Sequence, residues 1–204
     1  MGLDQYLDKA KRIKGATLEE LIKLNDYFGY MVRPNKFKDT TMEKWCGTEL
    51  KDVNLDLIKD YFSEYKYRYS SWDKEKKYGF CTLFQNVAYW RKANHIHKWF
   101  VDNVQNGEDD CGCYEVTKEQ LEELLEICIA VRDNSKLVNE DGNKYIKNPS
   151  LAESLLPTQD GFFFGGTSYD EWYLYDIRYT IRELRKILRT TDFEHEIVFY
   201  TSSW

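Results

Sequence analysis

The sequence predicts an α+β fold, a single domain in which several helices pack on a small, mainly antiparallel sheet that includes both chain termini. Three observations predict it. Residues Leu3, Gln5 and Leu7 alternate near the start, and Glu194 to Trp204 carries the β-branched and aromatic residues of a strand, so both ends read as strands of one sheet. Three Ser/Thr-x-x-Glu/Gln patterns, at Thr17–Glu20, Thr117–Gln120 and Ser168–Glu171, each open a run with helical spacing. Only three prolines and 11 glycines occur, too few for a long disordered linker, so residues 1–204 read as one globular domain.

The elements follow in order. Thr17-Leu-Glu-Glu20 opens a helix to about Tyr30, ending before Pro34, and short helical pieces are expected near 41–46 and 54–64. Tyr65-Lys-Tyr-Arg-Tyr69 alternates at period two, which as a strand sets three tyrosines on one face and Lys66 with Arg68 on the other. Residues 80–90 read as a strand feeding a helix over about 91–105. In that helix Ala93, Ile96, His97, Phe100 and Val104 share an apolar side, while Arg91, His95, Lys98 and Asp102 share the opposite one. Thr117 caps a helix whose apolar positions are Leu121, Leu124, Leu125, Cys128 and Ile129. The polar tract 133–150, with Asp141-Gly142-Asn143, is either a hairpin of two weak strands or a surface loop. Phe162-Phe-Phe164 between glycines suggests a buried strand, and Ser168 is expected to cap a last helix running to about Arg189.

A chain of 204 residues buries roughly 70% of the surface its unfolded form exposes, enough for a core without metals or disulfides. The 16 Tyr, 11 Phe and 6 Trp add large buried areas with polar tips that need partners. No apolar run of about 18 residues and no apolar signal core at the start are present, so a cytoplasmic protein with no membrane contact is expected. Five cysteines with no regular spacing fit free thiols in a reducing compartment. A net charge of −6 disfavours non-specific nucleic-acid binding by the whole surface.

The residues that can carry chemistry concentrate in Tyr89-Trp-Arg-Lys-Ala-Asn-His-Ile-His-Lys-Trp-Phe100. Arg91 and Lys92 can donate to anions, Asn94 can pair with an amide or a base edge, and Trp90 or Trp99 can stack on a flat ring. Simple packing with a solvated Arg91, Lys98 and Asp102 face is the alternative. His95 and His97 lie about 200° apart around a helix axis, so both rings on one ion are not expected, and neither metal nor cofactor is called for. Cys111-Gly-Cys113 is one ligand pair where zinc sites show two, and reads as incidental thiols. The acidic pairs Asp109-Asp110 and Asp170-Glu171 suit acid–base work or a divalent ion, although the second also suits a helix start. Arg178, Arg182, Arg185 and Arg189 form a stripe beside Ile177, Ile181, Leu184 and Leu188; it reads as a solvated flank or as a seat for phosphates. No phosphate loop, nucleophile elbow or metalloprotease helix is present.

Several blocks resemble one widespread family of small proteins from tailed phages, prophages and bacteria, a family with no assigned activity. They are Met1-Gly-Leu-Asp4, Tyr89-Trp-Arg-Lys-Ala-Asn94 through His97, Trp99-Phe100 and Val104-Gln105 to Asp109-Asp-Cys111, Leu156-Pro-Thr-Gln159, Gly161-Phe-Phe-Phe-Gly165, Tyr169-Asp-Glu-Trp-Tyr173 and Ser202-Ser-Trp204. Residues 17–80 and 133–150 read as expansions of the family pattern, and His95 stands where a small residue is usual. The resemblance implies a non-enzymatic phage or prophage accessory protein, with an anti-defence role among its candidate tasks. Its expected ligand is a small anionic or nucleotide-like molecule, or a host protein. The expected site is Trp90, Arg91, Asn94, His97, Asp109, Asp110, Asp170, Glu171 and Trp172, converging in one pocket. The alternative is a metal-dependent hydrolase or nuclease using Asp109, Asp110, Asp170 and Glu171. Any nucleic acid would be held through Arg178, Arg182, Arg185 and Arg189. No catalytic residue and no oligomeric state is assigned.

Overall fold

In the computed structural model residues 2–31, 41–57 and 83–204 are described. The fold is α+β, and its four-stranded sheet has the order β2-β1-β6-β3, with β1 (Asp4–Lys11), β2 (Gln85–Arg91), β3 (Cys113–Glu115) and β6 (Glu196–Ser203). The strands from the two ends of the chain lie in one sheet, as expected, and are neighbours in it. Lys9 reaches Glu196 at 2.8 Å and Tyr200 reaches Gln5 at 3.3 Å, which sets β1 and β6 antiparallel. β3 joins β6 antiparallel with Tyr114 opposite Tyr200. No described helix is long and apolar enough to cross a membrane, and the described cysteines Cys46, Cys111, Cys113 and Cys128 are free thiols.

Contacts gather the chain into two compact units, Met1–Lys9 with Asn86–Trp204, and Ala10–Gln85. In the second, α1 (Leu18–Met31) opens with the expected capping box: Thr17 Oγ1 accepts from Glu20 N at 3.2 Å, and Glu20 Oε2 accepts from Thr17 N at 2.9 Å. Leu21, Leu24 and Phe28 are buried at spacings of three and four. Thr41 caps α2 (Met42–Cys46), and two single 3-10 turns follow at Leu50–Asp52 and Leu55–Leu57. The rest of the helix expected over 54–64 and the tyrosine ladder at 65–69 lie outside the described residues.

The first unit is built on α4 (Lys118–Asn134) packed against α6 (Glu171–Thr190). Leu121, Leu124, Cys128 and Val131 of α4 and Leu174, Ile177, Ile181, Leu184 and Ile187 of α6 form one buried cluster, together with Trp90, Ile96, Phe100 and Tyr200. The Thr117–Gln120 box is formed in both directions. The tract after α4 is a hairpin, β4 (Leu137–Glu140) against β5 (Asn143–Ile146), with Glu140 opposite Asn143. Both residues of its two-residue turn are left-handed, Asp141 at φ 52 and Gly142 at φ 87, the geometry that matches strand twist in tight hairpins. A short helix α5 (Ser150–Leu155) then leads to the loop that carries the site.

Three expectations are corrected. The helix after β2 begins at Asn94, not near 91, because Lys92 takes φ 62 and breaks the chain direction first; α3 spans Asn94–Asn103. Phe162–Phe164 is a turn and not a strand, with Phe162 93% exposed and Phe164 alone of the three buried. Asp170, not Ser168, caps α6: its Oδ1 accepts from Trp172 N at 2.9 Å and Tyr173 N at 3.0 Å, and an ionised acceptor suits the positive end of the helix dipole better than a hydroxyl.

Replacing Thr117 with Ala removes one half of the α4 box and is expected to lower unfolding free energy by about 1 kcal/mol in urea titration, with Thr117→Ser close to wild type.

Candidate functional site

The site is assembled where α3 begins. Its first residue, Asn94, is buried, and its carboxamide ties down the loop that precedes α6. Asn94 Nδ2 donates to Phe164 O at 3.2 Å and Gly166 O at 2.8 Å, and Oδ1 accepts from Gln159 N at 3.1 Å. The amino-terminal segment closes the same knot: Leu3 N donates to Phe163 O at 3.1 Å, and Lys92 N donates to Leu3 O at 2.7 Å. Gly165, at φ 93, passes so close that a Cβ there would stand 3.0 Å from Lys92 Cβ and 3.2 Å from Lys92 O. A residue with a side chain would meet both a strained backbone and an occupied space.

Between this knot and the first turns of α6 lies a pocket of about 500 Å³. Arg91 and Lys92 stand on one side of it and Thr158, Gly165, Gly166 and Ser168 on the loop side, while α6 supplies Trp172, Tyr173, Tyr175 and Asp176 behind its cap Asp170. The buried members, Asn94, His95 and Tyr173, make its floor, and Trp172 and Tyr175, 69% and 59% exposed, make its rim. These two rings lie 6.4 Å apart at 67°. Such exposure is unusual for large aromatics on a helix with a well-filled core side, and it leaves their faces open to a flat partner.

The floor is electrostatically unusual. Burial pushes the His95 imidazole down to about 3, so it is neutral at physiological pH, and its Nε2 is buried with no hydrogen-bond partner. The ring packs on Tyr173 at 4.2 Å. Asp176 is pushed up to about 7, by burial first and then by the negative charge of Asp170, so near neutrality it holds its proton about half the time. A neutral imidazole and a protonated carboxyl each offer one donor and one acceptor. Arg91 forms no ion pair among the described residues and is exposed at the mouth.

The structure brings four of the sequence-selected residues to this pocket: Arg91, Asn94, Asp170 and Trp172. Trp90 is core, its Nε1 donating to Thr180 Oγ1 at 2.9 Å. His97 belongs to a separate buried relay, with Nδ1 2.8 Å from the Tyr200 hydroxyl and Nε2 3.0 Å from Asp109 Oδ2; Asp109 Oδ1 also accepts from Trp204 Nε1 at 3.1 Å. Asp110 accepts from Gly112 N at 2.7 Å and from the Tyr114 hydroxyl at 2.9 Å. Glu171 pairs with Lys144 of the hairpin at 3.1 Å. The acidic pairs thus serve separate networks. Among the described residues, the ligand-bearing group close enough to share an ion is Asp192, Glu194 and His195, all exposed and none lining the pocket.

Helical phase places His95 on the solvated side of α3, yet it is buried, because Tyr173 of α6 covers that side. Asp176 and Tyr175 were not singled out. One signal was legible: Trp172 and Asp176, four apart, share a helix face with the cap Asp170 beneath them, which sets two acids one turn and a half apart among aromatics. No family model, curated protein or solved structure matches the chain.

Two outcomes follow. Asn94→Asp places a carboxylate against the carbonyls of Phe164 and Gly166 and is expected to cost about 3 kcal/mol at neutral pH, more than Asn94→Ala, with faster hydrogen exchange over 159–166. Asp176 has its pKa raised by folding, so its contribution to stability is complete below about 3.8 and is lost as pH climbs to about 7. The difference between the wild-type and Asp176→Asn unfolding profiles should therefore change across that window and be flat above it. His95, whose pKa folding lowers, acts in the opposite direction below its unfolded value near 6.5 and cancels in this difference.

Proposed function

We propose that this chain is a non-enzymatic accessory protein of a phage or prophage whose pocket binds a small anionic, planar ligand of the nucleotide class. The observation that carries the reading is the pairing, in one cavity, of a polar floor with an open aromatic rim and two cations. Asp176, which holds its proton about half the time near neutrality, offers a donor and an acceptor to the edge of a base, with the buried His95 ring in the same lining. Trp172 and Tyr175 offer faces for stacking, and Arg91 with Lys92 offers charge to a phosphate. The phage and prophage setting rests on the resemblance of the sequence blocks. Nothing in the arrangement of Asp109, Asp110, Asp170 and Glu171 favours the hydrolase reading, since each is engaged in a different network.

Titration calorimetry with a panel of nucleoside monophosphates and cyclic nucleotides tests the reading. Binding is expected for at least one purine or pyrimidine nucleotide, weakened about tenfold or more by Arg91→Ala and by Trp172→Ala, because each removes one of the two recognition elements. Affinity should weaken as pH rises through about 7, where Asp176 loses the proton it donates, and Asp176→Asn should abolish that pH dependence. A panel that shows no heat and no thermal shift at millimolar ligand sinks the proposal.

A further inference from the structure

The pocket is not the whole of the exposed face of α6. Beyond Tyr175 the same face turns from aromatic to basic: Arg178, Arg182, Arg185, Lys186 and Arg189 are all exposed. At 3.6 residues per turn, Trp172, Tyr175, Tyr179 and these five cations fall within an arc of about 140°, and from Trp172 to Arg189 the helix rises about 26 Å. Arg132, at the end of α4, completes a groove of about 590 Å³ with Glu183 as its one acid. Arg182 is tied to Glu183 at 2.6 Å and lies 4.9 Å over the Tyr179 ring, and Arg132 is tied to Asp133 at 2.8 Å. Arg178, Lys186 and Arg189 have no ion-pair partner among the described residues. On a chain of net charge −6, so large a local excess of cations is the footprint of a polyanion.

We infer that this face binds a single strand of nucleic acid, with a base stacked at the Trp172–Tyr175 rim and the following phosphates running along the arginines. This rests on the nucleotide reading of the pocket, of which the mononucleotide becomes the first unit. A single strand is favoured over an acidic protein segment because the cations continue directly from two exposed rings, and stacking with charge is how proteins hold unpaired bases. It is favoured over a duplex because rings on one helix face have no access to bases already stacked and paired.

Fluorescence anisotropy with the full chain, a short labelled oligothymidylate, thymidine monophosphate as competitor, a duplex of the same length and polyglutamate of similar charge tests it. The single strand should bind most tightly, with a log affinity that falls linearly with log salt. Reversing Arg178, Arg185 and Arg189 together to Glu should weaken the strand about tenfold or more while leaving monophosphate binding within about twofold. The triple Gln variant guards against a folding defect and should lie between. Trp172→Ala and Tyr175→Ala should each weaken the strand about tenfold while leaving the salt slope unchanged. The inference is overturned by a strand no tighter than the monophosphate, by indifference to the arginine changes, by indifference to both aromatic changes, or by equal binding of duplex or polyglutamate. In the first two of these cases monophosphate binding decides the pocket reading separately.

Discussion

The Asn94 carboxamide is the interaction on which the site depends. Three hydrogen bonds from one buried side chain fix the loop 159–166 against the beginning of α3. That loop is one wall of the pocket; its Gly161, Gly165 and Gly166 supply conformational freedom, while the Phe164 N to Gly161 O bond at 3.1 Å and the buried Phe164 ring hold it together with Asn94. The left-handed turn at Lys92 and the close passage of Gly165 are consequences of the same constraint, since the backbone of each must approach the other for Asn94 to reach both carbonyls. The amino-terminal residues are drawn in as well, through Leu3.

Below that knot a buried polar chain joins the elements of the sheet to α3. Gln5 Nε2 donates to Ala93 O at 3.2 Å, its Oε1 accepts from Tyr200, and Tyr200 meets His97, which meets Asp109. Each group lies within hydrogen-bonding distance of the next, in a buried setting whose low dielectric strengthens such bonds. Burial together with the Asp109 charge raises the Tyr200 pKa and keeps the phenol protonated. The contrast with the pocket is physical: His97 has partners on both nitrogens, whereas His95, two residues away, has a buried Nε2 with none. Two buried histidines on one helix thus divide into one with partners on both nitrogens and one with an unpartnered Nε2, and the difference lies in what packs against each face.

Much of the fold was legible because it rests on local rules. The Thr17 and Thr117 boxes and the terminal strands require only neighbours in sequence and appear where those rules put them, and the Asp141-Gly142 tract, which the sequence leaves as hairpin or loop, is a hairpin. Expectations that needed a distant partner fared differently. Phe162-Phe-Phe164 has the composition of a buried strand, but the glycines around it serve the Asn94 knot and leave Phe162 in solvent. Ser168 fits a cap pattern, yet the longer reach of β5, with Ile146 N bonded to Tyr169 O, holds that segment extended until Asp170. Of the site, Arg91, Asn94, Asp170 and Trp172 are visible in the sequence as polar or aromatic residues too costly for packing, while Asp176 is marked only by its spacing from Trp172.

The sequence by itself determined the α+β class, the presence of strands from both chain ends in one sheet and the starts of α1 and α4, because periodicity and capping act over a few residues. Only the tertiary structure decided which polar and aromatic residues share a cavity. Helical phase assigns His95 to solvent and His97 to the core, but burial is set by what packs against a face: Tyr173 covers His95, Asp109 and Tyr200 engage His97, and the burial that lifts Asp176 likewise exists only in the folded chain.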